Sequence, residues 1–530
     1  MRRWNGWGDD TVFYPLPQKA LKYLAEKIGE ATPMPEASWD EVLLRVPPSR
    51  LPGHPLVITS EEERIRHSRG QSLPDWLALR SGNVGVFPDG VAFPSTSEEV
   101  RGLISYARRA HAEIVPYGGG TSVVGHITPE KSESPILTVD MGRMNRLLSL
   151  DTESLVATFG AGAAGPEVEA QLRAKGYTLG HFPQSFEFST LGGWVATRSS
   201  GQQSMRYGRI EQLFAGGLLE SPEGPLEIPS FPASAAGTDL REIVLGSEGR
   251  LGILTKVKVR VTPLPEREAF HLIFFPRWHS AQEAVRDAVQ KRIPLSMLRL
   301  GSAQETETQL ALAGHERTIA LLEKVLSWRG AGAHKCMLIC GITGTQVQCR
   351  TTLKQVLHVF RRRGGIHAGT YGGRKWAESR FLTPYLRNSL WEEGYAVDTL
   401  ETATDWENVN PMVEAIESAL RGVLVDEGER IHVFTHLSHL YLQGSSIYTS
   451  FIFRIATTYE ETLRRWEQLK TTTSKAIVHH RGTISHQHGV GVDHAPYLVA
   501  EKGTLGIASI KALCKHFDPD GMMNPGKLVR

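Results

Sequence analysis

An α+β fold in more than one domain is predicted for this chain of 530 residues, on three observations. Strands and helices follow one another irregularly, without the strand–helix alternation of a doubly wound sheet. The texture of the sequence changes twice, near Val84 and again around Pro263-Leu264-Pro265. Between those points a short strand runs straight into three consecutive glycines, Gly118, Gly119 and Gly120. These breaks divide the chain into 1–82, a helical extension; 83–265, a mixed domain; 266–475, a second α+β domain; and 476–530, a closing segment.

Taken in order, Leu21, Leu24 and Ile28 recur at helical spacing and Ser38–Leu44 reads as a second short helix. A polar stretch with Pro47, Pro48, Pro52 and Pro55 follows. Val91–Pro94 reads as a strand, and Ser95-Thr96-Ser97-Glu98-Glu99 starts a capped amphipathic helix that reaches Arg109. Ala112–Pro116, Ile136–Asp140, Leu155–Phe159 and Ile253–Val261 are strands, with a helix over Gly165–Lys175. Past Pro265, Phe270–Phe275 and Leu298–Leu300 are strands, Ser280–Gln290 is a helix and Ser446–Phe453 is a strand.

The bulk properties exclude several classes of function. With 59 basic against 57 acidic residues the net charge is +2, too balanced for nucleic-acid binding by bulk electrostatics. Apolar runs such as Ile447–Ile455 are broken by Thr, Ser or Arg and fall short of the ~20 residues a membrane helix needs. Basic residues at the N-terminus lead into no apolar core, so no secretory signal is read there. Four cysteines (Cys336, Cys340, Cys349, Cys514) do not make a disulfide framework, and Cys336 and Cys340 read as buried thiols in a reducing setting.

The chemistry starts at Pro116-Tyr117-Gly118-Gly119-Gly120-Thr121-Ser122. Consecutive glycines let backbone N–H groups converge on one concavity that suits anionic oxygens, and Thr121 and Ser122 add hydroxyl donors. The loop is neither G-x-G-x-x-G nor a Walker loop. Three further segments follow: Gln184-Ser185-Phe186-Glu187-Phe188-Ser189-Thr190, Thr197-Arg198-Ser199-Ser200 and Glu248-Gly249-Arg250-Leu251-Gly252-Ile253-Leu254. Their order and content resemble the p-cresol methylhydroxylase-type (vanillyl-alcohol-oxidase-like) FAD-binding domain, two α+β subdomains completed by an α+β substrate domain with an antiparallel sheet.

That resemblance implies FAD. It gives the pyrophosphate to 116–122, the isoalloxazine and ribityl chain to 184–190 and 197–200, and the adenine side to 248–254. Many relatives hold flavin covalently through a His or Cys near the loop. Residues 116–122 contain neither and only His126 lies just beyond, so non-covalent FAD is expected. The closing run Phe517–Lys527 resembles the C-terminal segment of FAD-linked oxidases, a group that includes D-lactate and glycolate dehydrogenases.

Two longer stretches resemble one branch, the alkylglycerone-phosphate synthases: Arg3-Trp4-Asn5-Gly6-Trp7-Gly8 and Gly180–Val195. These enzymes make ether lipids. They exchange the acyl group of acyl-dihydroxyacetone phosphate for a long-chain fatty alcohol through an adduct at flavin N5. The hydroxy-acid dehydrogenases tend to carry His-x-Gly-Asp-Gly-Asn-x-His, whereas His436–Ser445 here lacks the Gly-Asp-Gly-Asn core. A 2-hydroxy-acid dehydrogenase or oxidase is the alternative enzyme, and a flavin-fold lipid or partner binder the non-enzymatic one.

The same resemblance supplies the catalytic set. Tyr448 lies on a strand whose alternation places Ser446, Tyr448 and Ser450 on one face. It matches the family's tyrosine, and a phenol can serve as acid or base where its neighbours tune it. His486-Gln487-His488 precedes Gly489-Val490-Gly491, where the family has three successive histidines; His486 and His488 match and Gln487 does not. Arg299, a charge in an apolar strand, and Arg387 match positions tied to substrate phosphate or active-site order. No metal is expected, because no acidic ligand neighbours either histidine group in the sequence. A lipid substrate implies peripheral membrane contact, which the Trp4 and Trp7 start and the first helices could provide. A cytoplasmic location is expected, since the chain ends Lys-Leu-Val-Arg rather than Ser-Lys-Leu, and relatives suggest a homodimer.

Overall fold

The computed structural model describes residues 1–313 and 316–529. Four sheets organise them. A four-stranded sheet has the order Val57–Ile58, Gly90–Ala92, Ile136–Asp140, Glu113–Tyr117, parallel across its last three strands. An antiparallel five-stranded sheet runs Leu147–Asp151, Val156–Gly160, Ile253–Arg260, Phe214–Ser221, Gly224–Ile228. These are the two α+β layers of the flavin-binding half. A short pairing of Tyr177–Thr178 with Thr262–Pro263 closes that half.

The second half is built on one antiparallel seven-stranded sheet. Its order is Ile366–His367, Arg267–Phe275, Cys336–Gly344, Met297–Gly301, His432–Leu437, Gly444–Arg454, Tyr395–Asp405. Helices Trp278–Gln290, Gln346–Arg362, Val409–Gly422 and Tyr459–His479 cover one face. The helices form for legible reasons. Thr345 and Gln348 make a reciprocal capping box at the start of Gln346–Arg362, and Thr458 caps Tyr459–His479 through Glu461 N. Apolar side chains at 3–4-residue spacing, such as Ala281, Ala284, Val285 and Ala288, then face the sheet fully buried.

The termini cross between the halves. The chain start packs as an extension: Trp7 is 4% exposed, Trp4 meets Trp39 edge-on at 5.4 Å, and Gln18–Ile28 buries Ala20, Leu24 and Ile28. The expected interfacial role of Trp4 and Trp7 is thereby corrected, because their rings are spent on the protein interior. At the other end, Leu498, Cys514, Leu528 and Val529 enter the core around the five-stranded sheet, and Met522 and Met523 enter that of the four-stranded sheet. All four cysteines are buried and unpaired.

Candidate active site

A cavity of about 1150 Å³ opens between the flavin-binding half and the exposed face of the seven-stranded sheet. The strand Glu113–Tyr117 delivers the glycine loop to it, and every residue from Pro116 to Ser122 lines it. The loop has no room for side chains. A Cβ on Gly119 would overlap the Phe188 carbonyl, one on Gly118 the Thr190 hydroxyl, and Gly120 sits at φ 61° against the Tyr117 hydroxyl. Backbone N–H groups therefore front the cavity without shielding, which fits the phosphates of a dinucleotide. Arg2 clamps the loop from behind by donating to the Gly119 carbonyl.

Not all of the four segments face this space. Gln184, Ser185, Ser189, Thr190, Thr197, Ser199, Ser200, Glu248, Gly249, Gly252, Ile253 and Leu254 line it. Six residues expected to bind cofactor do not. Phe186 stacks on Phe381 at 4.7 Å, Glu187 accepts from Tyr385 Oη at 3.0 Å, and Phe188 meets Trp7 edge-on at 5.8 Å. Arg198 ends a helix in the left-handed region and pairs with Glu242 at 2.6 Å. Arg250 donates to the Met523 carbonyl at 2.7 Å, and Leu251 is core. Each segment is an irregular turn, so its side chains alternate between cavity and interior with no period a sequence could display.

Glu248 is also reassigned. Its carboxylate accepts from Val490 N at 2.5 Å and Gly491 N at 2.8 Å, so it holds the Gly-Val-Gly turn rather than an adenine. His126, the one nearby candidate for a covalent link, is buried and committed at both ring nitrogens. Nδ1 lies 2.9 Å from Ser122 Oγ, and Nε2 lies 3.2 Å from Glu248 Oε1. Asn524, which the sequence reading missed, lines the cavity while donating to the carbonyls of His126 and Glu248 at 3.0 and 2.7 Å.

Strand register builds the reacting end. Tyr448 is the direct cross-strand partner of His436 on one side and of Glu401 on the other. The His436 ring stacks on Tyr448 at 4.7 Å, and His488 meets it edge-on at 6.1 Å. Tyr448, His436, Gln487 and His488 all line the cavity. Burial pushes the Tyr448 phenol up to about 12, so the hydroxyl keeps its proton at neutral pH. Burial likewise lowers His436 and His488, leaving both imidazoles neutral there and able to accept a proton.

His486 stands apart from this group, behind the wall. Nδ1 lies 3.1 Å from Glu401 Oε1, while Nε2 lies 2.6 Å from Tyr441 Oη and 3.2 Å from Arg209 Nη1. Glu401 also approaches His488 Nε2 at 3.8 Å. The expectation that no acid neighbours the histidines is overturned. Strand Tyr395–Asp405 pairs with Gly444–Arg454 and so carries Glu401 in from a distant part of the chain. Glu401, His439 and His486 together could hold a cation. Their nitrogens are nonetheless spoken for: Tyr441 and Arg209 take His486 Nε2, and Ser200 and Ser204 take His439 Nδ1 at 3.2 and 3.0 Å.

The arginines differ in kind. Arg299 lines the cavity and is neutralised: it bonds Glu305, which also lies 3.1 Å from His436 Nδ1. Glu305 went unread in the sequence, although Ser302-x-x-Glu305 is a helix-start signature. Arg387 lines the cavity with no carboxylate bound among the described residues. Its Nη1 donates to the Gln71 carbonyl at 2.7 Å, and its guanidinium lies 4.3 Å from the centre of the Trp76 ring. From this junction an apolar limb, lined by Leu272, Met297, Leu310, Ile319, Leu322 and Ile339, leads away.

Comparison with known proteins agrees with this geometry. Residues 88–225 match the family model described as FAD binding domain, and residues 264–528 the one described as FAD linked oxidases, C-terminal domain. The chain is 33% identical over 475 residues to the alkyldihydroxyacetonephosphate synthase of Dictyostelium discoideum, covering 88% of this chain and 77% of that protein. It is 29% identical over 568 residues to the Trypanosoma brucei brucei enzyme of that name, covering 99% and 92%. A mitochondrial D-lactate dehydrogenase (cytochrome) of Arabidopsis thaliana is 25% identical over 89% of this chain and 77% of its own. Among solved structures, an alkyldihydroxyacetonephosphate synthase superposes with a TM-score of 0.85 at 27% identity, covering 99% of both chains.

Proposed function

From the premise that this chain belongs to the alkyldihydroxyacetonephosphate synthase family, we propose that it exchanges the acyl chain of acyl-dihydroxyacetone phosphate for a long-chain fatty alcohol, with FAD as cofactor. The observation that carries this reading is one cavity that joins a dinucleotide cradle, the His436–Tyr448–His488 group and an apolar limb. When bound, the flavin supplies a planar ring that exchanges electron density reversibly with a substrate carbon.

The protein's residues do the rest. Tyr448 Oη holds a proton for the departing carboxylate side. Neutral His488 and His436 can accept one from the substrate or the entering alcohol. Gln487 faces the cavity but cannot exchange a proton, so this duty falls to His488. Glu401 and His486 act as positioning residues behind His488 and Tyr448. Arg387 supplies charge for the phosphate.

A purified preparation supplied with acyl-dihydroxyacetone phosphate and hexadecanol should release fatty acid only as ether forms, with no electron acceptor required. Tyr448→Phe should keep FAD and lose about 10²–10⁴-fold in kcat. Dye reduction with a 2-hydroxy acid and no ether product would overturn the reading.

Membrane contact belongs to the same proposal and moves from the chain start to helix Glu316–Trp328. Thr318, Ile319 and Leu322 of that helix line the cavity, while Leu321, Val325 and Trp328 stand 65%, 45% and 88% exposed at helical spacing. Such a face suits the surface of a bilayer, from which the lipid chains would enter. No helix of the described residues is long and apolar enough to cross a membrane. The reading further places the enzyme on the cytoplasmic side, as a homodimer. Flotation with anionic vesicles of wild type but not of Trp328→Glu is the expected result.

A further inference from the structure

Arg380 is a charge in the cavity with no task assigned so far. It directly follows the helix Tyr371–Ser379, lines the cavity and is 9% exposed. Four aromatic rings surround its guanidinium, with centroids 4.8 Å (Phe381), 4.9 Å (Phe182), 5.6 Å (Trp376) and 5.8 Å (Phe270) away. Nε and Nη1 are buried and donate to nothing. Arg380 forms no ion pair among the described residues. The two carboxylates that act on it at longer range are engaged elsewhere. Glu268 accepts from Gln203 at 2.8 Å, and Glu169 accepts from Thr178, Leu179 and Gly180 and pairs with Arg173 at 3.0 Å.

A buried cation without a counter-charge is unfavourable, and ring faces offset only part of the lost hydration. Rings attract the positive face of the guanidinium but accept nothing from its in-plane N–H donors. Those donors remain for a group with several acceptor oxygens, and a guanidinium fork matches an oxyanion best. Arg299 differs, being already neutralised by Glu305, and Arg387 spends one donor on a backbone carbonyl. Arg380 is also fixed in place, since Gln184 Nε2 donates to its carbonyl at 2.5 Å and Gln184 lines the cavity.

We infer that Arg380 is an oxyanion seat, which takes the anionic end of an amphiphile whose chain lies against the surrounding rings. For the identity of that amphiphile, this rests on the function proposed above. Its substrate carries a phosphate monoester and its product is a long-chain carboxylate, two sources of the same chemistry.

The test uses holoenzyme and the variants Arg380→Met, which preserves length and packing, and Arg380→Lys, which preserves charge without the fork. Each is titrated with inorganic phosphate and with laurate, read by calorimetry and by the flavin spectrum. At least one anion should bind roughly tenfold or more weakly to the Met variant, with partial recovery in Lys and unchanged flavin content. A loss confined to phosphate assigns the phosphate monoester; a loss confined to laurate assigns the carboxylate. Equal affinities in all three proteins overturn the seat, and so does a Met variant that purifies without flavin, because Arg380 would then serve the cofactor. If neither variant folds, wild-type crystals soaked with both anions decide by density, or its absence, at Nε and Nη1. None of these readouts needs turnover. A protein that binds anions through Arg380 yet makes no ether lipid would sink the proposed function and leave the seat standing.

Discussion

Glu305 shows how single residues in this site depend on one another. Burial alone would raise its pKa, but Arg299 and His436 outweigh that and hold it at about 2, below its ordinary 4.5. The folded state thus favours the carboxylate. Its contribution to stability is complete above the unfolded value near 4.5 and is lost as pH falls toward about 2. Glu305→Gln should abolish that part of the acid sensitivity in unfolding titrations between those limits. At neutral pH it should cost about 3–5 kcal/mol, because Arg299 loses its counter-charge. Equal pH slopes for the two proteins would contradict the pairing. At this scale the sequence was half legible: a charge inside Met297-Leu-Arg-Leu300 demanded a partner. Which residue answered was hidden, since Glu305 arrives on the following helix turn and Glu401 through strand register. Arg380 gave a weak sign, a cation between Trp376 and Phe381, that only packing turns into a site.

Among the elements, the N-terminal strap explains a motif whose chemistry was opaque in sequence. Trp7 N donates to Asn388 Oδ1 at 3.0 Å and Asn388 Nδ2 returns a bond to the Trp7 carbonyl at 2.9 Å, while Asp9 N donates to Tyr385 Oη at 3.2 Å. The strap thereby joins the loop that Arg2 clamps to the helix that carries Arg387. Gln71 completes the link. Its N–H donates to the Ser122 carbonyl at 2.6 Å, its carbonyl accepts from Arg387, and its side chain reaches the Gly6 carbonyl at 3.3 Å. Gly8 is required at its place, with φ 82° and the Tyr385 ring where a Cβ would stand. Gly8→Ala should cost at least about 1 kcal/mol of stability. It should raise KM for the phosphorylated substrate more than it lowers kcat, because Tyr385 and Asn388 flank Arg387. Gly53→Ala, with open space around it, is the control and should change nothing. A Gly8 variant with unaltered KM would show that the strap serves stability alone. Individual helices and strands were readable from periodicity and capping. The pairing of 395–405 with 444–454, and the reach of residues 1–14 across the molecule, were not, since both depend on contacts between residues hundreds of positions apart.

For the whole molecule, the cavity lies where separate cores meet. Its walls come from the glycine loop, from the exposed face of the seven-stranded sheet, from the 371–387 segment and from Asn524 near the chain end. A cofactor in that space touches parts that otherwise meet only through the strap and the closing segment, so its binding energy should appear as stability of both halves. Because His126 is committed at both ring nitrogens, FAD should leave with acid precipitation and return on refolding. The apoprotein should then melt earlier than the holoprotein. Ligand at about a hundred times its Kd stabilises by about 2.7 kcal/mol, and the shift should grow with added FAD. Hydrogen exchange separates the contributions: amides of 116–122 and of 434–448 should both gain protection on reconstitution. Protection confined to the glycine loop would mean that the flavin engages one half only, and that Tyr448 and His488 are not brought to its ring. Flavin that stays in the acid pellet would instead mean a covalent link, which would have to be sought at a side chain other than those that line the loop.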